Sequence, residues 1–278
     1  MLVTLNDVLP KARDGKYAVG LFNTTDSDML QAVIEAAEET RSPVIIGTAE
    51  VLLPYGELQL IGPGMIAAAK RAKVPVVVHY DHGLTFDRCM EALKLGFSSL
   101  MFDGSTKSYE ENIKETQEIV KIAHSFGATV EGEIGHVGNA DNEADLGTDM
   151  YTTPEEAKAY IDATGVDALA VAIGTAHGVY KTKPQLNIDR LKEIRSTVDT
   201  PLVLHGGSGL SDDDFKNTVK EGIAKVNIFT DLCLAGAEGF KAGLDKGLGY
   251  LEARNLKVQY IKEAVKKKIL LFGSQNKA

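Results

Sequence analysis

A chain of 278 residues, 44% hydrophobic and 25% charged, can bury a sizeable core and fits one large domain or two small ones. Its formal net charge of −9 disfavours nucleic acid or an anionic membrane as partner, although a few local N–H groups and one cation can still hold a phosphorylated ligand. Two isolated cysteines, Cys89 and Cys233, read as small apolar residues on helices, no apolar run nears the roughly 20 residues of a membrane span, and Met1 to Asp7 lack signal-peptide order, so a soluble, cytoplasmic protein is expected.

From the N-terminus, Asn6 or Asp7 could cap a short helix ending near Gly15. Ala18 to Asn23 predicts a strand that stops on a polar residue. Ser27 is a candidate cap for a helix over Asp28 to Thr40, where Met29, Ala32, Val33 and Ala36 recur at helical spacing. Pro43 to Thr48 predicts the next strand, and Met65 to Ala72 a helix. Val76-Val77-Val78-His79-Tyr80-Asp81-His82-Gly83 then reads as a buried strand whose ionisable residues gather where it leaves the core. Asp81 and His82 are neighbours, so an extended chain would point them to opposite faces. A turn starting at Gly83 is expected to bring both toward one cavity.

The alternation continues with a helix over Phe86 to Leu95, a strand over Ser99 to Gly104, a helix over Tyr109 to Phe126 and a strand over Thr129 to Ile134. Gly135 to Tyr151 predicts a loop, and Pro154 opens a helix at its first turn. Ala168 to Ile173 is a strand, Ile188 to Ser196 a helix, and Pro201 to His205 and Ala224 to Ile228 are the last strands, with a helix after Ser211 between them. Eight strand–helix alternations in about 250 residues predict an α/β fold, a (β/α)8 TIM barrel. An open doubly wound sheet is the alternative, but no strand reads as a charged or proline-broken edge. The whole chain, 1–278, is expected to form one such domain. Leu232 to Phe272 holds more helix than a last barrel unit needs. This C-terminal surplus is expected to pack on a second subunit, in a homodimer or homotetramer, or to close one end.

In a barrel, ligand chemistry gathers at the C-terminal ends of the strands. Here those ends carry Asn23, Thr48, Asp81 with His82, Asp103, Glu131 with Glu133, His177, His205 and Asn227. Any one of them could be a polar residue where a strand meets solvent; together they predict a site. Of six histidines, His124 reads as a helix-surface residue, His136 as a loop residue and His79 as a satisfied core histidine. His82, His177 and His205 remain, each at a strand end and close to glycine. Three neutral imidazoles with an open fourth position are a catalytic zinc arrangement, although iron, cobalt or manganese would accept similar ligands. Glu133 is a candidate further ligand, or one that orients a histidine. Asp81 is a candidate acid or base, or again an orienting carboxylate. Gly206-Gly207-Ser208-Gly209 lets backbone N–H groups approach an anion, flanked by the segments around His177 and Asn227, and so suggests a phosphate site.

Five segments, His79 to Gly83, Val130 to Gly135, Gly174 to Gly178, His205 to Gly209 and Val226 to Thr230, stand in an order that resembles the class II, metal-dependent ketose-bisphosphate aldolases. The resemblance runs nearly the whole length and is nearest the shorter subgroup acting on tagatose or fructose bisphosphate. It implies one Zn²⁺ per subunit on His82, His177 and His205. It also implies that Asp81 handles the proton of the hydroxyl on the carbon whose bond is cleaved. Gly178, Gly206, Gly207, Ser208, Asn227 and Thr230 would hold dihydroxyacetone phosphate, with Asn23 near the substrate. A monovalent cation, Na⁺ or K⁺, is implied beside Gly178 and Gly206. The family's mobile loop usually supplies a glutamate for the second proton transfer. Here Asp141 stands at its place, with Glu143 as the substitute. Phe229 departs from a position that can be polar, and Arg254 is a candidate for the distal phosphate. The other readings are a non-catalytic phosphosugar-binding barrel or aldolase subunit, and a metal-dependent hydrolase. The hydrolase is disfavoured because Leu21-Phe22-Asn23 offers no histidine pair, and a Schiff-base aldolase because Lys225 comes early in its strand.

Overall fold

The computed structural model describes residues 1–135, 151–176 and 184–278. Eight parallel strands form its centre: β2 (Val19–Asn23), β3 (Val44–Ala49), β4 (Val76–Gly83), β5 (Ser99–Phe102), β6 (Thr129–Ile134), β7 (Ala168–Val171), β8 (Leu202–Leu204) and β9 (Ile223–Ile228). Their order is β4-β3-β2-β9-β8-β7-β6-β5, and pairing of β5 with β4 closes the ring into the predicted (β/α)8 barrel. A two-residue strand β1 (Leu2–Val3) adds to the start of β4 through Val76 and Val77. Helices α2 (Ser27–Thr40), α3 (Leu58–Arg71), α4 (Phe86–Leu95), α5 (Tyr109–Ser125), α6 (Pro154–Thr164), α7 (Ile188–Thr197) and α8 (Asp212–Lys220) lie between successive strands. Among the described residues, each of the eight barrel strands is paired on both sides and offers no open edge.

The interior is layered. Leu5, Val8, Leu9 and Ala12 of α1 (Leu5–Gly15) pack against Leu21, Ile45, Val77, Ala170 and Val203 inside the barrel. Thus α1 closes the end where the strands begin. Two residues further along the same strands, the inward positions turn polar: Asn23 follows Leu21, His79 and Asp81 follow Val77, and His205 follows Val203. An apolar floor therefore supports a polar upper layer at the C-terminal ends.

The C-terminal helices α9 (Thr230–Asp245) and α10 (Tyr250–Phe272) complete the outer ring. α10 packs against α2, α8 and β2 and takes the place of the eighth barrel helix, while α9 lies against α10. Salt bridges fasten α10 to α2: Lys257 Nζ is 2.7 Å from Asp26 and 3.2 Å from Asp28, and Arg254 is 2.7 Å from Asp28. Asp26, not Ser27, caps α2, accepting from the N–H groups of Asp28 and Met29. Helix α3 starts seven residues before the expected Met65, and a 3-10 helix over Glu50–Tyr55 that the sequence did not suggest follows β3.

Candidate active site

The end of β4 does not turn as expected. His82 itself takes the left-handed conformation, with φ of 43°, and the β4–β5 register slips between Tyr80 and Gly83. The bulge places two successive side chains, Asp81 and His82, on the same cavity. Gly83 stays in the strand because of space: a Cβ there would stand 2.6 Å from Cys89 Sγ and 2.8 Å from the Met101 carbonyl oxygen. A non-glycine residue with positive φ at the end of a barrel strand is backbone strain stored at a site.

The cavity, of about 350 Å³, is lined by Asn23, Asp81, His82 and Asn227, and also by Gly206, Gly207, Ser208 and Thr230. Phe229 is part of the wall as well, with Val51, Leu52 and Leu84. His205 and Glu133 lie directly behind, both buried. The predicted residues His177, Gly178, Asp141 and Glu143 lie outside the described residues, as does His136. Two of the three expected histidine ligands can therefore be placed. They meet: His82 Nε2 is 2.9 Å from His205 Nδ1. Glu133 Oε2 is 3.4 Å from the same nitrogen of His205.

Each imidazole is fixed from behind by a carboxylate. His82 Nδ1 lies 2.7 Å from Asp103 Oδ2, and His205 Nε2 lies 2.8 Å from Glu131 Oε1. A carboxylate only accepts, so these ring nitrogens are the N–H donors. The two nitrogens that face each other then carry lone pairs, and a positive charge belongs between them. A proton satisfies the pair, and so does a metal ion. The electrostatics agree. Burial pulls His82 down, but Asp81, Asp103 and Glu133 outweigh it and push the imidazole up to about 9. Burial and the charge of His82 lower His205. The donor set of two imidazole nitrogens with Asp81 and Glu133 nearby fits a divalent ion, which would displace the shared proton.

Asp81 is buried between two amides. Asn23 Nδ2 donates to its Oδ2 at 2.8 Å, and Asn227 Nδ2 lies 3.0 and 3.2 Å from its two oxygens. Burial opposes its charge, but His82, Lys225 and His205 hold the carboxyl well below the usual range, so it is ionised. His79 is a core histidine, as expected, and is satisfied at one nitrogen only. Its Nδ1 is 2.8 Å from Ser99 Oγ, while Nε2 faces Asp81 and Glu131 at 3.8 and 3.9 Å. Burial, with help from Lys225, pulls it down to about 3, so it is neutral.

The glycine-rich segment forms the rim after β8. Gly206 has φ of 63°, and a Cβ on it would stand 2.4 Å from the Ala176 carbonyl oxygen, so only glycine fits. Ser208 Oγ accepts from the Phe229 N–H at 3.3 Å, which ties this rim to the start of α9. The N-terminus of α9, at Thr230, opens on the same cavity. Of the two glycines implied beside a monovalent cation, only Gly206 is described. Arg254, the candidate for the distal phosphate, is not among the residues lining this cavity; its guanidinium meets Asp28 and Gln31.

Sequence reading missed three contributors. Asp103 was named only as a strand end, and Glu131 with Lys225 was left without a role. The alternation Glu131, Glu133 on β6 and Lys225, Asn227 on β9 carried the signal, since residues two apart on a strand share a face.

The family model described as class-II fructose-bisphosphate aldolase matches residues 3–277. Among similar proteins, YdjI of Escherichia coli K12 is 43% identical over 96% of both chains. The crystal structure of the YdjI aldolase matches with a TM-score of 0.92 at 39% identity, covering 100% of both chains. The fructose-bisphosphate aldolase of Thermus caldophilus is 39% identical over 100% of both chains, and the sulfofructosephosphate aldolase of Alkalicoccus urumqiensis is 39% identical over 98% of this chain and 96% of its own.

Proposed function

The chain belongs to the class II fructose-bisphosphate aldolase family and is a carbon–carbon lyase, and from that premise we propose that it catalyses reversible aldol cleavage of a ketose phosphate or bisphosphate to dihydroxyacetone phosphate and an aldehyde. With fructose or tagatose 1,6-bisphosphate the aldehyde is glyceraldehyde 3-phosphate. The observation that carries the proposal is the facing pair His82 Nε2 and His205 Nδ1, 2.9 Å apart, beside an ionised Asp81.

His82 and His205, with His177 as third ligand and Glu133 at hand, would hold Zn²⁺, one per subunit. When bound, the ion supplies Lewis-acid stabilisation for the negative charge that develops on the ketose oxygens. The chain's own groups do the rest. Asp81 takes the proton from the hydroxyl on the carbon whose bond breaks, and that hydroxyl becomes the aldehyde carbonyl. The electrons of the C–C bond pass to the dihydroxyacetone phosphate half. Asp141, or Glu143, returns a proton to its carbon. Asn23 and Asn227 keep the carboxylate of Asp81 aimed while it works.

The phosphate binds at the rim formed by Gly206, Gly207 and Ser208, with Thr230 and Asn227 across from it and Gly178 as a further expected contact. Backbone N–H groups there and at the start of α9 suit an anion. A Na⁺ or K⁺ ion beside Gly178 and Gly206 would offset the phosphate charge. The acidic chain, with no helix of the described residues long and apolar enough to cross a membrane, supports a cytoplasmic enzyme that engages neither membrane nor nucleic acid. Leu234, Leu244, Tyr250 and Leu251 stand exposed on α9 and the start of α10, which supports a homodimer or homotetramer.

A cleavage screen over fructose, tagatose and related mono- and bisphosphates, with and without chelator, tests the proposal. Chelator-sensitive release of dihydroxyacetone phosphate is expected. A metal-loaded protein that cleaves none of them would favour the non-catalytic barrel.

A further inference from the structure

Beneath the cavity, one lysine joins the two arms of the site. Lys225 on β9 is fully buried, and its Nζ lies 2.8 and 3.1 Å from the two carboxylate oxygens of Glu131 on β6. Nζ also donates to Asn227 Oδ1 at 2.8 Å. Glu131 reaches His205, and Asn227 reaches Asp81, so the chain of contacts runs from one proposed metal ligand to the proposed proton acceptor through a single ammonium group.

The direction of every hydrogen bond in this chain follows from the lysine. An ammonium only donates, so the Asn227 atom that meets it must be the carbonyl oxygen. The NH2 of Asn227 then points the other way, at the Asp81 carboxylate. A flipped amide would set NH2 against NH3⁺ and a carbonyl against a carboxylate, two repulsions in a buried place. On the other arm, the ammonium compensates the buried charge of Glu131, and the paired carboxylate can only accept. His205 must therefore present Nε2–H to it, which leaves Nδ1 as the nitrogen that faces His82.

We propose that Lys225 is a positioning residue that sets the tautomer of His205 through Glu131 and the amide orientation of Asn227 directly. One buried charge thus prepares the metal-ligand side and the proton-transfer side together. The inference rests on His205 being a metal ligand, and it gives Lys225 a role other than that of a Schiff-base amine.

Two kinds of measurement decide it. Nitrogen-15 NMR of histidine-labelled, metal-free wild-type protein reads the tautomer directly: protonation of His205 at Nε2 and not at Nδ1 is expected, and the reverse overturns the assignment. For the energetic effect, Lys225→Met leaves Glu131 uncompensated, so the paired variant Lys225→Met/Glu131→Gln is compared with it, because it removes both charges and keeps an acceptor for His205. Zinc affinity, measured by competition with a chromophoric chelator, should fall by about 10- to 100-fold in the paired variant, the usual cost of disturbing a group that orients a ligand. The visible spectrum of the cobalt-substituted form should change with it. A paired variant with wild-type zinc affinity and cobalt spectrum, whatever its melting temperature, overturns the proposal. Failure of the wild-type protein to take up metal would instead sink the ligand reading, while the tautomer measurement still judges this one.

Discussion

Asp103 Oδ2 lies 2.7 Å from His82 Nδ1, on the side of the ring away from His205. Ser105 holds the other oxygen of this carboxylate through its hydroxyl at 2.6 Å and its N–H at 3.1 Å. The imidazole is thus oriented by a group that is itself held. Replacing Asp103 by alanine should weaken metal binding by about 10- to 100-fold, measured by chelator competition. An unchanged affinity would mean that the strained backbone at His82 orients the ring alone.

Asp81 is held by the amides of Asn23 and Asn227, beside the two imidazoles. Asp81→Ala should keep most of the bound metal and lower turnover by about 10²- to 10⁴-fold, as loss of a general base does. Metal content and kcat measured on one preparation check both halves, and near-normal turnover would reduce Asp81 to a structural role.

Gly83 has no room for a methyl group, since Cys89 Sγ and the Met101 carbonyl oxygen crowd its Cβ direction. Gly83→Ala should cost about 1–3 kcal/mol, the usual range for overpacking, and should displace the adjacent His82. Urea unfolding together with metal retention reports this. A variant as stable as the wild type would show that β4 yields more easily than its packing implies.

Asp26 ties the first barrel helix to the last. Burial opposes its charge, but Lys257 and the N–H groups of Met29 and Asp28 lower its pKa. A carboxyl depressed in the folded state adds stability above its unfolded pKa of about 3.9, and that stability is lost as pH falls through the folded value. Asparagine still caps a helix, so Asp26→Asn removes only the charge. Because solvent reaches the pair, the variant should be less stable by about 0.5–1 kcal/mol at pH 7. The gap should narrow as the pH drops below about 4. Urea midpoints of both proteins across that range give the comparison, and a gap that stays constant would contradict it.

The barrel was legible because its signals are local. Phe86–Leu95 and Thr129–Ile134 match expectation at both ends, since helical spacing in one and strand composition in the other are not contested by neighbours. Helix α3 extends N-terminally of the expected Met65 through Gly62-Pro63-Gly64, residues that are poor helix formers. Burial of Leu58, Met65 and Ile66 against the barrel overrides those poor formers. At the site, strand-end position revealed Asp81, His82 and His205. The bulge that swings His82 round was invisible, because nothing in a histidine codon predicts positive φ. Glu131 and Lys225 were passed over because their partners are on different strands, and only the closed ring brings them together.

The most direct measurement is an anomalous-difference map at the zinc absorption edge from crystals of the metal-loaded enzyme. One peak per subunit is predicted, about 2.0–2.1 Å from both His82 Nε2 and His205 Nδ1, with His177 as the third nitrogen. Zinc ligated elsewhere, or a peak bound by only one of these two imidazoles, would contradict the account.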